Sequence, residues 1–214
     1  MESFNLESGA VIVDNLIRVI QANKQYLSDI DGLIGDGDHG INMNKGFTLT
    51  RDELDKTPGD LAHGLNTLSK VLMMKIGGSM GPLYGKFFKA IAKGVEGKST
   101  IGKDDFGVIL REIESLIATI SPAKVGDKTM IDTLAPSVLA YNNSIALGAD
   151  FKTALINMKE AAREGMESTK DITAKLGRAS RLGERSRGVL DAGSVSCFLI
   201  LESIADSITE LIKE

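Results

Sequence analysis

The segment Asp31-Gly-Leu-Ile-Gly-Asp-Gly-Asp-His-Gly40 places three carboxylates and four glycines within ten positions. Its second half, from Gly35 to Gly40, matches the three-glycine fingerprint of dinucleotide-binding folds. That fingerprint is meaningful only where a strand leads into the glycines and a helix follows them. Here apolar side chains recur at helical spacing on both sides, so both neighbours are expected to be helices. The segment therefore predicts an all-α protein rather than a βαβ fold.

Helical periodicity extends along the whole chain. Apolar residues recur every three or four positions between Val11 and Leu27, and the same rhythm returns in the later segments. No stretch shows a convincing strand alternation. Asp60 and the pair Asp104-Asp105 are typical of helix N-termini. Eight helices are predicted, at residues 7–27, 41–55, 60–76, 82–94, 104–120, 129–147, 151–170 and 193–213.

Short connections make consecutive helices antiparallel neighbours, which predicts an eight-helix up-and-down bundle or barrel. Eight helices exceed one four-helix core, so a closed ring or a double layer is expected. No domain boundary or internal repeat interrupts the pattern, and residues 1–214 are interpreted as a single domain. Three segments resist helical assignment: Ser28–Gly40, Ile76–Gly81 and Thr173–Ser194. They follow the first, third and seventh helices, and these connections all lie at the same end of an antiparallel bundle.

Composition and charge limit the classes of function. The 214 residues include 43% hydrophobic and 25% charged side chains, which is typical of a globular domain. A net charge of -4 argues against binding to nucleic acid or to an anionic membrane, because both are held by basic surfaces. No apolar run approaches the ~18 residues of a membrane span. The lone Cys197 and the lack of a leader segment indicate the cytoplasm.

The acidic segment offers hard oxygen ligands on a flexible backbone, which suit Mg²⁺ or Ca²⁺. Two carboxylates about 4 Å apart repel by roughly 1 to 4 kcal/mol, so clustering three of them calls for a cation or full solvation. An EF-hand is excluded, because counting from Asp36 puts Ile41 at the glycine position and Phe47 at the glutamate position. An acidic, solvated turn that caps the second helix is the alternative. His39 is expected to bond a phosphate or to orient a carboxylate.

A second glycine-rich segment, Gly77-Gly-Ser-Met-Gly-Pro-Leu-Tyr-Gly-Lys86, leads into the fourth predicted helix. The exposed N–H groups and the positive end of that helix favour a phosphate. The segment is not a Walker A loop, since Met80 and Phe87 stand where glycine and Ser or Thr are required. The alternative is close packing of helices at three glycines of the segment, Gly78, Gly81 and Gly85.

Basic residues concentrate in the connection before the last predicted helix. Six of the 25 basic residues fall within 18 positions: Lys170, Lys175, Arg178, Arg181, Arg185 and Arg187. This cluster indicates an anion site or a docking surface, and a solvated basic loop is the alternative. Asp191 is placed to cap the last helix or to contact a ligand. Carboxylates and a phosphate share one site only through a bridging metal, which predicts a Mg-nucleotide as the ligand.

Several motifs of the chain occur together in one known family. They are Ile34–Asn44, Gly-Gly-Ser-Met-Gly-Pro-Leu-Tyr-Gly, Gly126-Asp-Lys-Thr-Met130, and Gly177-Arg-Ala-Ser180 followed by Gly183-Glu-Arg-Ser186. With them the chain resembles the nucleotide-binding L subunit of dihydroxyacetone kinase, the DhaL family. The resemblance implies an eight-helix barrel that holds ADP or ATP and two Mg²⁺ ions at one end.

The resemblance also implies roles for individual residues. The implied Mg²⁺ ligands are Asp31, Asp36 and Asp38. Arg178 is the implied catalytic residue. The implied nucleotide contacts are His39, Asn42, Asn44, Gly78, Ser79, Met80, Ser121, Met130, Arg178, Asp191 and Gly193.

Partners follow from the same resemblance. A free-standing subunit of the phosphotransferase-system type keeps ADP as a bound coenzyme, which a phospho-histidine M subunit rephosphorylates. The phosphoryl group then passes to dihydroxyacetone held on a K subunit. Two rival hypotheses are an ATP-dependent kinase subunit for another small ketose, and a non-catalytic nucleotide-binding module that acts on a transcription regulator.

Overall fold

Most of the chain is helical. The computed structural model describes residues 2–212. Its elements are, in chain order, β1 (Ser3–Asn5), α1 (Ala10–Ala22), α2 (Lys24–Ile34), α3 (His39–Leu54), α4 (Leu61–Lys75), α5 (Met80–Val95), β2 (Thr100–Gly102), α6 (Lys103–Ala118), α7 (Ile131–Ala146), α8 (Phe151–Ser168) and α9 (Ala192–Leu211). Two 3₁₀ turns, Thr169–Asp171 and Ala179–Ser186, lie between α8 and α9. The all-α prediction is confirmed.

The helices form a closed ring. Each helix from α3 to α9 packs on the next, and α9 packs on α1. Both α1 and α2, separated only by Asn23, lie between α9 and α3, so together they occupy one of eight positions in the ring. The main core fills the ring, from Phe4 in β1 to Ile208 in α9, and a smaller second cluster joins α2 to the end of α8 and the start of α9. This arrangement agrees with the predicted eight-helix antiparallel barrel and favours the ring over the double layer.

The acidic loop is much shorter than predicted. Irregular backbone is expected over residues 28–40, but α2 continues to its end at Ile34 and only residues 35–38 separate it from α3. This prediction is wrong because Leu27, Ile30 and Ile34 are buried at helical spacing. Burial of that apolar stripe outweighs the low helix propensity of the glycine within it.

Other helix boundaries also differ from the prediction. The helix predicted at 7–27 begins at Ala10 and breaks at Asn23, whose side-chain amide donates to the Val19 carbonyl at 2.8 Å. The last two residues of the predicted irregular segment 76–81 already belong to α5. The predicted end of the last helix, at residue 213, lies outside the described residues.

Two short strands were not predicted. In β1 and β2, Phe4 pairs with Ile101 in an antiparallel register, and both side chains are buried. Strands of three residues are too short to show a readable alternation. Leu6, just after β1, donates its N–H to the Ser99 carbonyl and accepts from the Leu61 N–H, so the strands close the end of the ring opposite the acidic loop.

The last helix, α9, is long and apolar enough to cross a membrane by length and composition, with a mean hydropathy of 1.3. Glu202 and Asp206 interrupt the apolar side chains of this helix, so it is not a continuous apolar run of 18 residues. Of the apolar window in α9, 61% is buried inside the protein. That is the position of a core helix, because the apolar side chains of α9 pack against the rest of the ring.

At Gly40, α2 and α3 cross with almost no space between their backbones. A Cβ at position 40 would overlap the Lys24 carbonyl oxygen and lie 2.7 Å from the Ser28 backbone nitrogen. We expect Gly40→Ala to lower the free energy of unfolding by about 1–3 kcal/mol, because overpacking outweighs the gain in helix propensity. Chemical denaturation of the ligand-free protein measures this change.

The matched control for this prediction is Gly32→Ala, in the last turns of α2. A Cβ at position 32 would meet only the Gly37 Cα, at an ordinary 3.9 Å. We expect this variant to be unchanged or more stable by up to about 1 kcal/mol, since alanine favours a helix. Equal midpoints for Gly40→Ala and the parent chain would contradict the close crossing.

Candidate functional site

Three carboxylates converge at the junction of α2 and α3. Asp31 lies in the last turn of α2, and Asp36 and Asp38 lie in the short connection before α3. One oxygen atom from each lies within 4.8 Å of the others, and all three side chains are at least partly exposed. Carboxylate oxygens at this spacing fit a hard divalent cation such as Mg²⁺. The structure thus brings the three predicted metal ligands together.

Arg178 balances part of the charge of this acidic cluster. Its guanidinium forms an ion pair with Asp36 and lies 3.7 Å from Asp38 Oδ2. The Arg178 side chain is 58% exposed, so the contact lies at the surface rather than in the core. Because Arg178 belongs to the α8–α9 connection, the contact places the acidic and basic segments at the same end of the ring, as the helix count predicts.

A chain of polar contacts connects α3, α9 and α5. His39 Nε2 is 2.8 Å from Ser196 Oγ, and Ser196 Oγ is 2.6 Å from the Tyr84 hydroxyl. The Tyr84 hydroxyl also donates to the Gly193 carbonyl oxygen at 3.1 Å. Ser196 and Tyr84 are buried. These bonds fix the start of α3, next to the carboxylates, relative to the starts of α9 and α5.

His39 supports the acidic cluster through its main chain. Its backbone N–H donates to Asp31 Oδ2 at 3.3 Å. Removal of the ring from water lowers the pKa of His39 to about 4, although the Asp31 carboxylate acts in the opposite direction. The ring is therefore neutral at neutral pH. Because the contact with Asp31 involves the main chain and the ring contacts Ser196, the expected role of the His39 side chain at a phosphate or a carboxylate stays a prediction.

The start of α9 packs against the turn that precedes α7. Asp191 caps α9 by accepting a hydrogen bond from the Ser194 N–H at 2.8 Å, and Ser194 Oγ donates to the Thr129 carbonyl at 2.6 Å. A Cβ at Gly193 would lie 3.6 Å from the Met130 nitrogen. The predicted nucleotide contacts Asp191, Gly193 and Met130 are therefore neighbours, although the Met130 side chain itself lies in the core.

The connection between α4 and α5 combines the two interpretations of its glycines. A Cβ on Gly81 or Gly85 would overlap atoms of α4 or of its C-cap residue, so these two glycines allow close packing. Gly78 has a φ of 69° and no atom within 4 Å of a built Cβ. Gly78 and the exposed Ser79 leave backbone N–H groups open before α5, where the helix favours an anion.

Four predicted nucleotide contacts have no direct bond to the acidic cluster in the part of the chain that the structure describes. Asn42 and Asn44 are half-buried on α3, and their side-chain amides form no hydrogen bond within residues 2–212. Met80, at the start of α5, packs partly against the core. Ser121 lies between α6 and α7, and its hydroxyl accepts from the Ala123 N–H at 3.3 Å.

Comparison with known proteins identifies the family. The model of the DAK2 domain matches residues 33–206 of the chain. The chain belongs to the DAK2 domain family. A relative from Listeria innocua, "PEP-dependent dihydroxyacetone kinase 2, ADP-binding subunit DhaL", is 33% identical over 204 residues, which are 94% of each chain. The "PTS-dependent dihydroxyacetone kinase, ADP-binding subunit DhaL" of Lactococcus lactis is 36% identical and covers 87% of this chain and 90% of the relative.

A solved structure shares the fold of this DAK2 domain. It is the dihydroxyacetone kinase from C. freundii in complex with AMP-PNP and Mg²⁺, with a TM-score of 0.65 and 22% identity over 93% of this chain. The DAK2 domain described here spans about a third of that chain, 33%. The likeness supports the ring of helices that the contacts show.

Two residues that join the segments of this DAK2 domain, Tyr84 and Ser196, were not among the predicted site residues. Tyr84 lies in the glycine-rich segment from Gly77 to Lys86. Its signal was the spacing, because a tyrosine four residues after Met80 lies on the same face of α5. Ser196 carried a signal as well, because Ser194 and Ser196 interrupt the apolar pattern of α9 within its first five residues. Polar residues in a buried helix indicate hydrogen-bond partners.

We expect Asp191→Asn to change how the stability of the DAK2 domain depends on pH. Removal from water raises the pKa of Asp191 to about 6, although the Ser194 N–H and the Lys128 ammonium act against this. A carboxyl whose pKa is higher in the folded than in the unfolded chain costs stability as pH rises from about 4 to about 6. Asparagine caps a helix as well as aspartate and does not ionise.

The expected result is that Asp191→Asn gains stability relative to the parent chain between about pH 4.5 and about pH 7.5, measured by urea denaturation in EDTA. The control is Asp150→Asn at the N-cap of α8. Hydrogen bonds from Thr153 lower the pKa of Asp150, so its variant should keep a nearly constant difference in this range. If the stability difference between Asp191→Asn and the parent chain also stayed constant with pH, the raised pKa of Asp191 would be contradicted.

Proposed function

We propose that this chain is the ADP-binding subunit of a phosphotransferase-system-dependent dihydroxyacetone kinase, and that it carries a phosphoryl group on Mg-bound ADP. The observation that carries the proposal is the convergence of Asp31, Asp36 and Asp38 with Arg178 at one end of the ring. Carboxylates that hold a metal and an arginine that neutralises phosphate are the groups that phosphoryl transfer needs from a protein. The names of the DhaL relatives support the same activity.

The residues present fit Mg²⁺. Three carboxylates supply hard oxygen ligands, and the shortness of the α2–α3 connection holds them close together. We propose that Asp31, Asp36 and Asp38 hold two Mg²⁺ ions. When bound there, Mg²⁺ would supply positive charge that neutralises the transferred group.

Arg178 is the proposed catalytic residue. In the ligand-free chain its guanidinium is the counter-ion of Asp36 and Asp38. The Arg178 side chain is exposed, so its guanidinium would also be accessible to the phosphate oxygens of a bound nucleotide. Arg178 would thus exchange one set of anionic oxygens for another and stabilise charge on the phosphoryl group during transfer.

The nucleotide site extends from the acidic cluster to the starts of α5 and α9. We propose that the open backbone at Gly78, Ser79 and Met80 receives phosphate oxygens, since a helix N-terminus favours them. The amides of Asn42 and Asn44 are available to a ligand, and the neutral His39 orients the metal site. The remaining proposed contacts surround the base and the closing connection: Ser121, Met130, Asp191 and Gly193.

A partner surface surrounds this site. Leu33, Ile41, Met73 and Met74 are exposed apolar side chains where α2 ends, α3 begins and α4 ends, next to the acidic and glycine-rich connections. Exposed apolar side chains beside a site mark protein contacts. We propose that a K subunit carrying dihydroxyacetone and a phospho-histidine M subunit dock in turn at this end.

We also propose that the chain forms a single domain and is located in the cytoplasm. The continuous core from Phe4 to Ile208 supports one nucleotide-binding domain over residues 1–214. The buried thiol of Cys197 is unpaired with any cysteine and suits the reducing cytoplasm.

Native mass spectrometry of the purified chain, followed by labelled-phosphate transfer, tests the proposal. We expect a mass excess of ADP with Mg²⁺, and label in dihydroxyacetone phosphate only when K and M subunits are supplied. Label transfer from ATP without M would support the ATP-dependent alternative. A chain that binds nucleotide but transfers no label would support the regulatory module, and a chain that binds no Mg-nucleotide would refute the proposal.

A further inference from the structure

Lys128 is a buried cation in the turn before α7. Only 2% of the residue is exposed. It has a φ of 64° and is the only non-glycine residue with positive φ among residues 2–212. A left-handed backbone is unfavourable for an L-residue because its Cβ approaches the following carbonyl oxygen. A lysine buried in this conformation requires compensating contacts of its ammonium group, because an unpaired buried charge is strongly unfavourable.

The Lys128 ammonium bonds both ends of the α8–α9 connection. It donates to the carbonyl oxygen of Thr169, the first residue after α8, and to that of Val189, near the start of α9. The Asp191 N–H donates to Thr169 Oγ1 at 3.0 Å and closes the same junction. Removal from water lowers the pKa of Lys128, while the Asp191 and Asp132 carboxylates act in the opposite direction.

The neighbours of Lys128 in the turn bind the same connection. The Asp127 carbonyl accepts from the Lys175 N–H at 3.1 Å, and the Asp127 carboxylate lies 3.4 Å from Lys175 Nζ. On the other side, the Thr129 carbonyl accepts from Ser194 Oγ. The turn therefore fixes the connection at its start, near its middle and at its end. Lys175 is three residues from Arg178.

We propose that Lys128 is a positioning residue that joins the two ends of the α8–α9 connection and thereby keeps Arg178 beside the site. From there Arg178 pairs with Asp36 in the ligand-free chain and reaches phosphate oxygens when Mg-ADP is bound. The two carbonyl oxygens that Lys128 bonds are twenty residues apart in sequence, so no local hydrogen bond replaces it. The role of Lys128 in transfer rests on the proposed function, whereas its role in ordering the connection does not.

Hydrogen–deuterium exchange of the ligand-free chain tests the ordering role. We expect faster exchange over residues 170–190 in Lys128→Met, with the helices elsewhere still protected. Lys128→Gly removes the backbone strain together with the ammonium, so it keeps the test valid if Lys128→Met folds poorly, and it should show the same local loss. The control is Lys124→Met, which changes an exposed lysine in the α6–α7 connection, four residues before Lys128. Unchanged exchange over 170–190 in Lys128→Gly would overturn the proposal.

A double-mutant cycle with Arg178→Ala tests whether Lys128 acts through Arg178. We expect Lys128→Met to weaken Mg-ADP binding by about tenfold in the parent chain and less than about twofold in the Arg178→Ala background. A general loss of stability would weaken binding equally in both backgrounds, and that result would overturn the coupling to Arg178. If the parent chain binds no Mg-ADP, the proposed function fails and the exchange experiment alone decides the role of Lys128.

Discussion

Replacing Asp36 by asparagine is expected to abolish Mg²⁺-dependent binding of ADP. Asp36 is one of the three clustered carboxylates and the direct partner of Arg178. Asparagine keeps the shape of the side chain but removes the negative charge that attracts the cation. We expect affinity for Mg-ADP to fall by at least about 100-fold, because even outer partners of metal ligands change affinity about 10- to 100-fold. Isothermal titration with and without Mg²⁺ measures the effect.

The control for this prediction is Asp29→Asn. Asp29 is an exposed carboxylate on α2, two residues before Asp31, and it accepts a hydrogen bond from the Gln25 side chain at 2.7 Å. Its loss changes the net charge by the same amount and should leave Mg-ADP affinity within about twofold. Stability without ligand should change by no more than about 1 kcal/mol in either variant, since the Asp36 ion pair and the Asp29 hydrogen bond are both exposed. Unchanged Mg²⁺-dependent ADP binding by Asp36→Asn would show that Asp36 does not hold the metal.

Replacing Arg178 by alanine is expected to slow phosphoryl transfer by roughly 10³-fold while leaving the fold intact. An arginine that neutralises charge on a transferring phosphoryl group contributes about 10³- to 10⁵-fold in known systems. The same side chain is 58% exposed, so its ion pair contributes about 0–1 kcal/mol to stability. Labelled-phosphate transfer with K and M subunits measures the rate, and thermal denaturation measures the fold.

Arg181→Ala serves as the comparison for Arg178→Ala. Arg181 is exposed in the same connection, and no ion pair joins it to Asp36 or Asp38 in the part of the chain that the structure describes. The loss of net charge is the same, so a general electrostatic effect would slow both variants equally. A collapsed melting temperature with normal turnover in Arg178→Ala would show that the arginine supports the fold rather than the transfer.

Much of the fold and part of the site could be predicted from the sequence. The helical periodicity on both sides of the glycines excluded a βαβ unit, and the count of helices placed the acidic and basic segments at one end. The ion pair between Arg178 and Asp36 agrees with that placement. The clustering of the three carboxylates was predictable because Asp31, Asp36 and Asp38 lie close in sequence, and a short connection cannot separate them in space.

The remaining features depend on contacts between distant parts of the chain. No local pattern predicts that His39, Ser196 and Tyr84 meet, because they lie on three different helices. The role of Lys128 depends on two carbonyl oxygens that only the folded connection presents. The strands β1 and β2 were not predicted because three residues are too few to show an alternating pattern. Their structure depends on pairing with each other across a long stretch of sequence.

The short connection between α2 and α3 has a thermodynamic consequence. One of the three clustered carboxylates belongs to α2 and the other two to the residues before α3. The cluster therefore exists only while α2 and α3 remain packed together at Gly40. A cation and nucleotide held there bind the folded chain and not the unfolded one. By mass action, ligand at about 100 times its dissociation constant adds about 2.7 kcal/mol to the free energy of unfolding. A coenzyme retained at this junction therefore also protects the subunit that carries it.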